Sequence, residues 1–199
     1  MRPPRVTDLC RWTWLWLMIS GFTAPTAAQT VVFEIPQLMQ ILAQVKTREA
    51  AFTEKKILAL ITDPLVSSGT LRYRRPDYID RMTMVPRQER FTYENGKITM
   101  ESNGRQHQFQ AKEQPALGAL VESIRATLAG DEETLRRHYQ LRLAGTRANW
   151  NLEMSPITPD LVSRIRTIRI SGVQDELRQV DIQEVSDDRT IMNIDAIRR

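Results

Sequence analysis

Between positions 89 and 112 the chain reads ERFTYENGKITMESNGRQHQFQAK, three short alternating runs separated by Asn95-Gly96 and Asn103-Gly104. An Asn-Gly pair between alternating runs is the strongest short-range hairpin signal, because both turn residues must take positive φ. Two in succession commit this stretch to an antiparallel meander. Phe91 and Tyr93, Ile98 and Met100, and Phe109 with Ala111 are the apolar members of its three strands, so one face of it must be hidden from water.

Similar alternation recurs on both sides. EAAFTEKKILAL reads as a strand ending at the Asp63-Pro64 turn signal; GTLRYRR is broken by Pro76, after which YIDRMTMV resumes and stops at Pro86. QLRLAG and NWNLEMS form another hairpin, with Trp150, Leu152 and Met154 on one side, and TIRISG, LRQVDIQEV and RTIMNIDAI follow, separated by Gly172 and by Asp187-Asp188. Helical spacing appears in few places. Pro36 opens PQLMQILAQVKTR, with Leu38, Ile41, Leu42 and Val45 on one face, and Leu117, Leu120, Val121, Ile124 and Leu128 make a stripe closed by Gly130. Asp131 caps DEETLRRHY, and Thr158-Pro159 starts a short PDLVSRI helix.

So many antiparallel strands, each apolar on one side, must curl to cover that side, and a few helices are enough to plug a curved sheet. The expected architecture is α+β: an unclosed antiparallel barrel, or half barrel, of about ten strands with a lid of three or four helices. Its interior is open to two readings, packed or hollow. Six methionines follow position 28, and five of them, Met82, Met84, Met100, Met154 and Met192, lie on these strands. Inward methionines suit both ordinary core filling and a cavity whose guest varies in shape.

The first 28 residues stand apart. A basic lead with Arg2, Arg5 and Arg11 precedes the apolar run WTWLWLMISGF and the small residues TAPTAA, the pattern of a secretory signal peptide cut before Gln29; an uncleaved anchor is the competing reading. The expected division is a signal at 1–28 and one domain at 29–199, exported to a periplasm. Cys10, the single cysteine, precedes the apolar run, so the mature chain carries neither a disulfide nor a cysteine metal site, nor an acylated cysteine after the run.

Removing Arg2, Arg5 and Arg11 from 28 basic residues and Asp8 from 24 acidic ones leaves 25 against 23. This near-balance argues against nucleic acid as a partner. His107 and His138 have no His or Cys partners at ligand spacing, and nucleophile elbow, phosphate-cradling loop and cysteine nucleophile are all missing. The expectation is a protein that is not an enzyme and uses no metal or cofactor.

The residues FTEKK, SSGTLRYRRPDYIDRMT and YENGKIT, in this order after an amino-terminal helix, resemble the LolA/LolB family of periplasmic lipoprotein carriers. The matching positions are Phe52 with Glu54, Gly69 with Leu71, Arg75-Pro76 and Asn95-Gly96, and the likeness runs from about Leu38 to the end. Tyr78, Ile79 and Met82 stand where family carriers have a tryptophan, which marks a divergent member. The resemblance implies a half barrel whose apolar cavity takes acyl chains and carries them from the inner to the outer membrane, between an inner-membrane release complex and an outer-membrane acceptor. The missing lipidated cysteine places the chain on the LolA side, as a monomer, with lipoprotein or another acylated lipid, such as a fatty-acyl or glycolipid species, as cargo; a packed, non-enzymatic adaptor is the alternative. The resemblance also gives Arg75 the role of locking the helical lid. Candidate cavity or lid residues are Leu71, Tyr73, Met82, Met84, Phe91, Tyr93, Met100, Phe109, Leu120, Ile124 and Trp150, while Arg72, Arg74 and Arg81 are expected on the outer face.

Overall fold

A computed structural model describes residues 32–197; the expected signal peptide lies outside them. Eleven strands form one antiparallel sheet: β1 (Thr47–Ile57), β2 (Leu65–Arg74), β3 (Tyr78–Val85), β4 (Glu89–Glu94), β5 (Lys97–Ser102), β6 (Arg105–Gln110), β7 (Tyr139–Thr146), β8 (Asn149–Pro156), β9 (Ile165–Val173), β10 (Glu176–Glu184) and β11 (Arg189–Ala196). Their order is β6-β5-β4-β3-β2-β1-β11-β10-β9-β8-β7. Since β6 and β7 do not pair, the barrel is unclosed, and four α-helices lie with it: α1 (Ile35–Leu42), α2 (Pro115–Ala129), α3 (Glu132–His138) and α4 (Pro159–Val162).

Both Asn-Gly turns form as their chemistry requires, with φ of 51° and 74° at Asn95 and Gly96 and of 52° and 70° at Asn103 and Gly104. These turns fix the register of three strands, setting Phe91 opposite Met100 and Ile98 opposite Phe109. Gly130 ends α2 at φ 68°, and a Cβ there would come 2.1 Å from the Met39 carbonyl oxygen of α1. Only glycine permits both the left-handed backbone and this approach. Asp131 caps α3 by accepting from the Thr134 backbone N–H at 3.0 Å.

The principal core lies over the carboxy-terminal half of the sheet. Trp150, Leu152 and Met154 of β8 and Ile168 and Ile170 of β9 meet Leu38 and Leu42 of α1, Leu135 of α3 and Leu161 of α4. Trp150 is 1% exposed; its indole packs on Gly172, where a Cβ would come 2.3 Å from the ring, and its Nε1 donates to the Gln174 carbonyl at 3.0 Å. A second, smaller cluster of Tyr93, Ile98 and Val121, with Phe109 and Leu117 against it, fixes the start of α2 to the other half.

The outer face of the sheet is laced with cross-strand ion pairs. Arg72 meets Glu49 at 3.1 Å, Arg74 meets Glu94 at 3.0 Å, and Arg90 reaches both oxygens of the buried Asp80 at 2.8 and 3.2 Å. Two of the arginines read as outward-facing are there; Arg81 is not. Strand β2 pairs with β3 so that Leu71 faces Arg81 and Thr70 faces Met82. This register puts Arg81 on the same face as Leu71 and sends Met82 outward beside Arg90, with Met84 55% exposed. The expected inward placement of both methionines was out by one residue, which reverses every side chain of a strand.

Candidate functional site

Under α2, against the inner face of β1–β5 and β9–β11, lies a cavity of about 1070 Å³. That stands at the upper end of the roughly 300–1,000 Å³ typical of ligand pockets. The volume follows from which residues face inward. Ala50 and Thr83 line the cavity with side chains too small to reach the helix, whereas the equivalent rows of β8 and β9 carry Trp150, Leu152 and Ile170. The helix contributes Leu117, Leu120, Val121, Ile124 and Leu128; the sheet contributes Leu71, Ile79, Phe91, Met100, Leu177, Val180, Ile182, Met192 and Ile194.

Charged lining gathers mainly in two regions. Arg48 closes one end against Asp175 and, at 3.5 Å, Glu176. Toward the opposite end, where β1 turns into β2, stand Glu54, Lys56, Arg81, Glu89, Ser102, Arg105 and Glu184. Arg81 Nη2 donates to Glu54 Oε1 at 3.0 Å and its guanidinium sits 4.7 Å over the Phe52 ring. Ile57, Leu60, Ile61, Leu65 and Val66 leave large apolar surfaces exposed at the same turn, Leu60 being 99% exposed.

Two devices hold the helices down. Arg75 Nη1 donates to the Ala43 carbonyl at the carboxy-terminal cap of α1, where the helix leaves its last carbonyls unpaired. Tyr93 Oη donates to Glu122 Oε2 of α2 at 2.9 Å; Glu122 also accepts from Arg125, which reaches on to Asp131 at 2.9 Å. Burial, reinforced by the Glu122 carboxylate, pushes the Tyr93 phenol up to about 12. Burial also raises Asp131, but the Thr134 hydrogen bonds and Arg125 outweigh it and hold the carboxyl below its ordinary value. The Tyr93 latch has no counterpart in the sequence expectations: Tyr93 and Glu122 lie 29 residues apart, and only the fold brings them together.

Of the candidate cavity residues, Leu71, Tyr73, Phe91, Met100, Leu120 and Ile124 line the cavity. Tyr93 and Phe109 belong to the small cluster at the start of α2, Trp150 is sealed in the principal core, and Met82 and Met84 are on the outside. Trp150 fails as a cavity residue because Gly172 opens a slot for its indole beneath the helices. His107 lines the cavity, and His138, half-buried at the end of α3, keeps a buried Nδ1 without a partner; among the described residues no group of three or more His, Cys, Asp or Glu could hold a metal ion.

Among solved structures, the chain is similar to a LolA superfamily protein of Nitrosomonas europaea, at 6% identity and TM-score 0.43 over 84% of this chain and 95% of that one. It is also similar to a DUF1329 family protein of Desulfovibrio piger (10% identity, TM-score 0.46, 80% and 88% covered) and to the lipoprotein LppX of Mycobacterium tuberculosis (10%, 0.39, 80% and 93%). No curated protein sequence matches the chain. A family model, outer membrane lipoprotein carrier protein LolA-like, matches residues 26–195, and with that span the chain belongs to the LolA-like family.

Proposed function

We propose that the protein is a non-enzymatic carrier that takes the acyl chains of a lipoprotein, or of another acylated lipid, into the cavity beneath α2 and moves them between membranes. The observation that carries this reading is the cavity of about 1070 Å³ with an apolar middle, set in a sheet whose other half is filled solid. Its chemistry suits a long chain. At roughly 0.8 kcal/mol per buried CH₂, leaving one acyl chain in water costs on the order of ten kcal/mol, and an apolar cavity recovers much of that. Release then depends on the helices moving. Arg75 on Ala43 and Tyr93 on Glu122 are hydrogen bonds worth about 1 kcal/mol each, weak enough to open and strong enough to keep the cavity shut in water.

In this reading an exported monomer takes its cargo from an inner-membrane release complex to an outer-membrane acceptor; the family description, an outer membrane lipoprotein carrier, supports the outer membrane as the destination. The test is mass spectrometry of organic extracts from the protein purified gently from its host, beside an Arg75→Leu variant. Stoichiometric acylated lipoprotein or acyl lipid is expected, in an amount altered by the variant. Clean extracts from both would contradict the carrier role.

A further inference from the structure

Arg81 is an anomaly in an acyl-chain cavity. Its inward position, opposite Leu71 on one side and Phe91 on the other, surrounds a charged group with the apolar rows of β2 and β4. Its guanidinium commits Nη2 to Glu54 and, at 3.4 Å, to Ser67; Nε is buried with no partner, and Nη1 has none among the described residues. Unmatched donors of a charged group are costly next to apolar walls. Glu54 balances the charge without satisfying those donors, and the side chain keeps 30% of its surface accessible in the cavity lining.

We propose that Arg81 is a polar subsite that receives the ester or amide carbonyl of the cargo, at the point where the acyl chain joins its headgroup. The proposal rests on the carrier reading and narrows its cargo class. A neutral carbonyl fits better than a carboxylate, because Glu54 already holds the same guanidinium at 3.0 Å, and the other charges at that end balance, Glu184 against Lys56 and Glu89 against Arg87. An anion would have to displace or crowd Glu54 on the guanidinium, whereas a carbonyl oxygen accepts from the spare Nη1 with no net charge brought in. The chain then runs from Arg81 along Leu71 and Phe91 beneath Ile124.

The test compares ligands of one chain length with a probe that accepts no hydrogen bond. Pyrene reports occupancy of the cavity; monolaurin and laurate displace it. Arg81→Lys keeps the charge opposite Glu54 but removes the spare fork, and Arg81→Met with Glu54→Gln removes the pair without stranding a carboxylate. The wild type is expected to bind monolaurin more tightly than laurate. Monolaurin affinity should fall about fivefold in Arg81→Lys and about tenfold in the double variant, within what hydrogen bonds to a charged donor contribute, while pyrene binding stays within about twofold. Equal losses for pyrene and monolaurin would reduce Arg81 to a packing residue and overturn the subsite, as would unchanged monolaurin binding or a wild-type preference for laurate. Absence of pyrene uptake by the wild type would overturn the carrier reading itself. If the double variant does not fold, Arg81→Lys alone decides.

Discussion

The two halves of the sheet obey the same alternation and end differently. On β8 and β9 the inward residues are Trp150, Leu152, Met154, Ile168 and Ile170, all within 1% of full burial, and they meet α1, α3 and α4 directly. On β1–β4 the inward positions include Ala50, Arg81 and Thr83, and α2 passes over them leaving the cavity between. One half therefore acts as a rigid mount and the other as a container. Packing density near that of a crystal stabilises the first, and deliberate under-filling of the second leaves room for a guest. The division also separates stability from function, so variants in the two halves should have opposite signatures.

The largest effect is expected in the mount. Trp150→Ala removes the biggest side chain of the packed half and should cost about 3–5 kcal/mol, which lowers Tm by roughly ten degrees or more in a domain of this size; thermal denaturation followed by circular dichroism measures it. The container should respond the other way. Leu71→Trp fills cavity space rather than core, so uptake of an apolar dye should fall at least about tenfold while Tm shifts by no more than the roughly 2–4 °C that accompanies 1 kcal/mol. A Tm loss as large as that of Trp150→Ala would show that this half, too, is packed.

A smaller effect tests the latch between α2 and the container strands. Tyr93→Phe deletes the bond to Glu122 and should cost about 1 kcal/mol, read as faster amide exchange along α2 with exchange in β8 and β9 unchanged. The least effect is one of pH, and the two groups have opposite signs. Asp131 has a folded value below its unfolded one, near 3.9, so its contribution is present above that value and is lost as the pH falls through the lower folded value. Tyr93 has a folded value raised to about 12, so its contribution is complete below about 10 and lost as the pH rises toward 12. Protection of α2 and of the start of α3 should therefore weaken in acid and again above pH 10, each before the β8–β9 core unfolds.

Much of the fold was legible in the sequence because its signals are local. Asn95-Gly96 and Asn103-Gly104 fix two turns through backbone conformation alone, and the Leu117-to-Leu128 stripe with Gly130 fixes α2. What alternation gives is the existence of an inner face. It does not give the register across a non-glycine turn: the β2–β3 connection through Arg75, Pro76 and Asp77 set the parity of Met82, Met84 and Arg81 one residue away from the expected one. Nor does it tell a packed inner face from a hollow one, since Trp150 and Phe91 look alike along the chain, and only Gly172 under one and α2 held off the other separate them.

The central claim is that the half barrel is hollow where β1–β5, β10 and β11 face α2 and solid where β8 and β9 meet α1, α3 and α4. Titration of the protein with an environment-sensitive apolar dye, in the wild type and in Leu71→Trp, tests it most directly. One saturable site per chain, displaced by acyl lipid and lost in Leu71→Trp, is the result expected. No fluorescence gain in the wild type, or a gain that Leu71→Trp leaves intact, would contradict the claim.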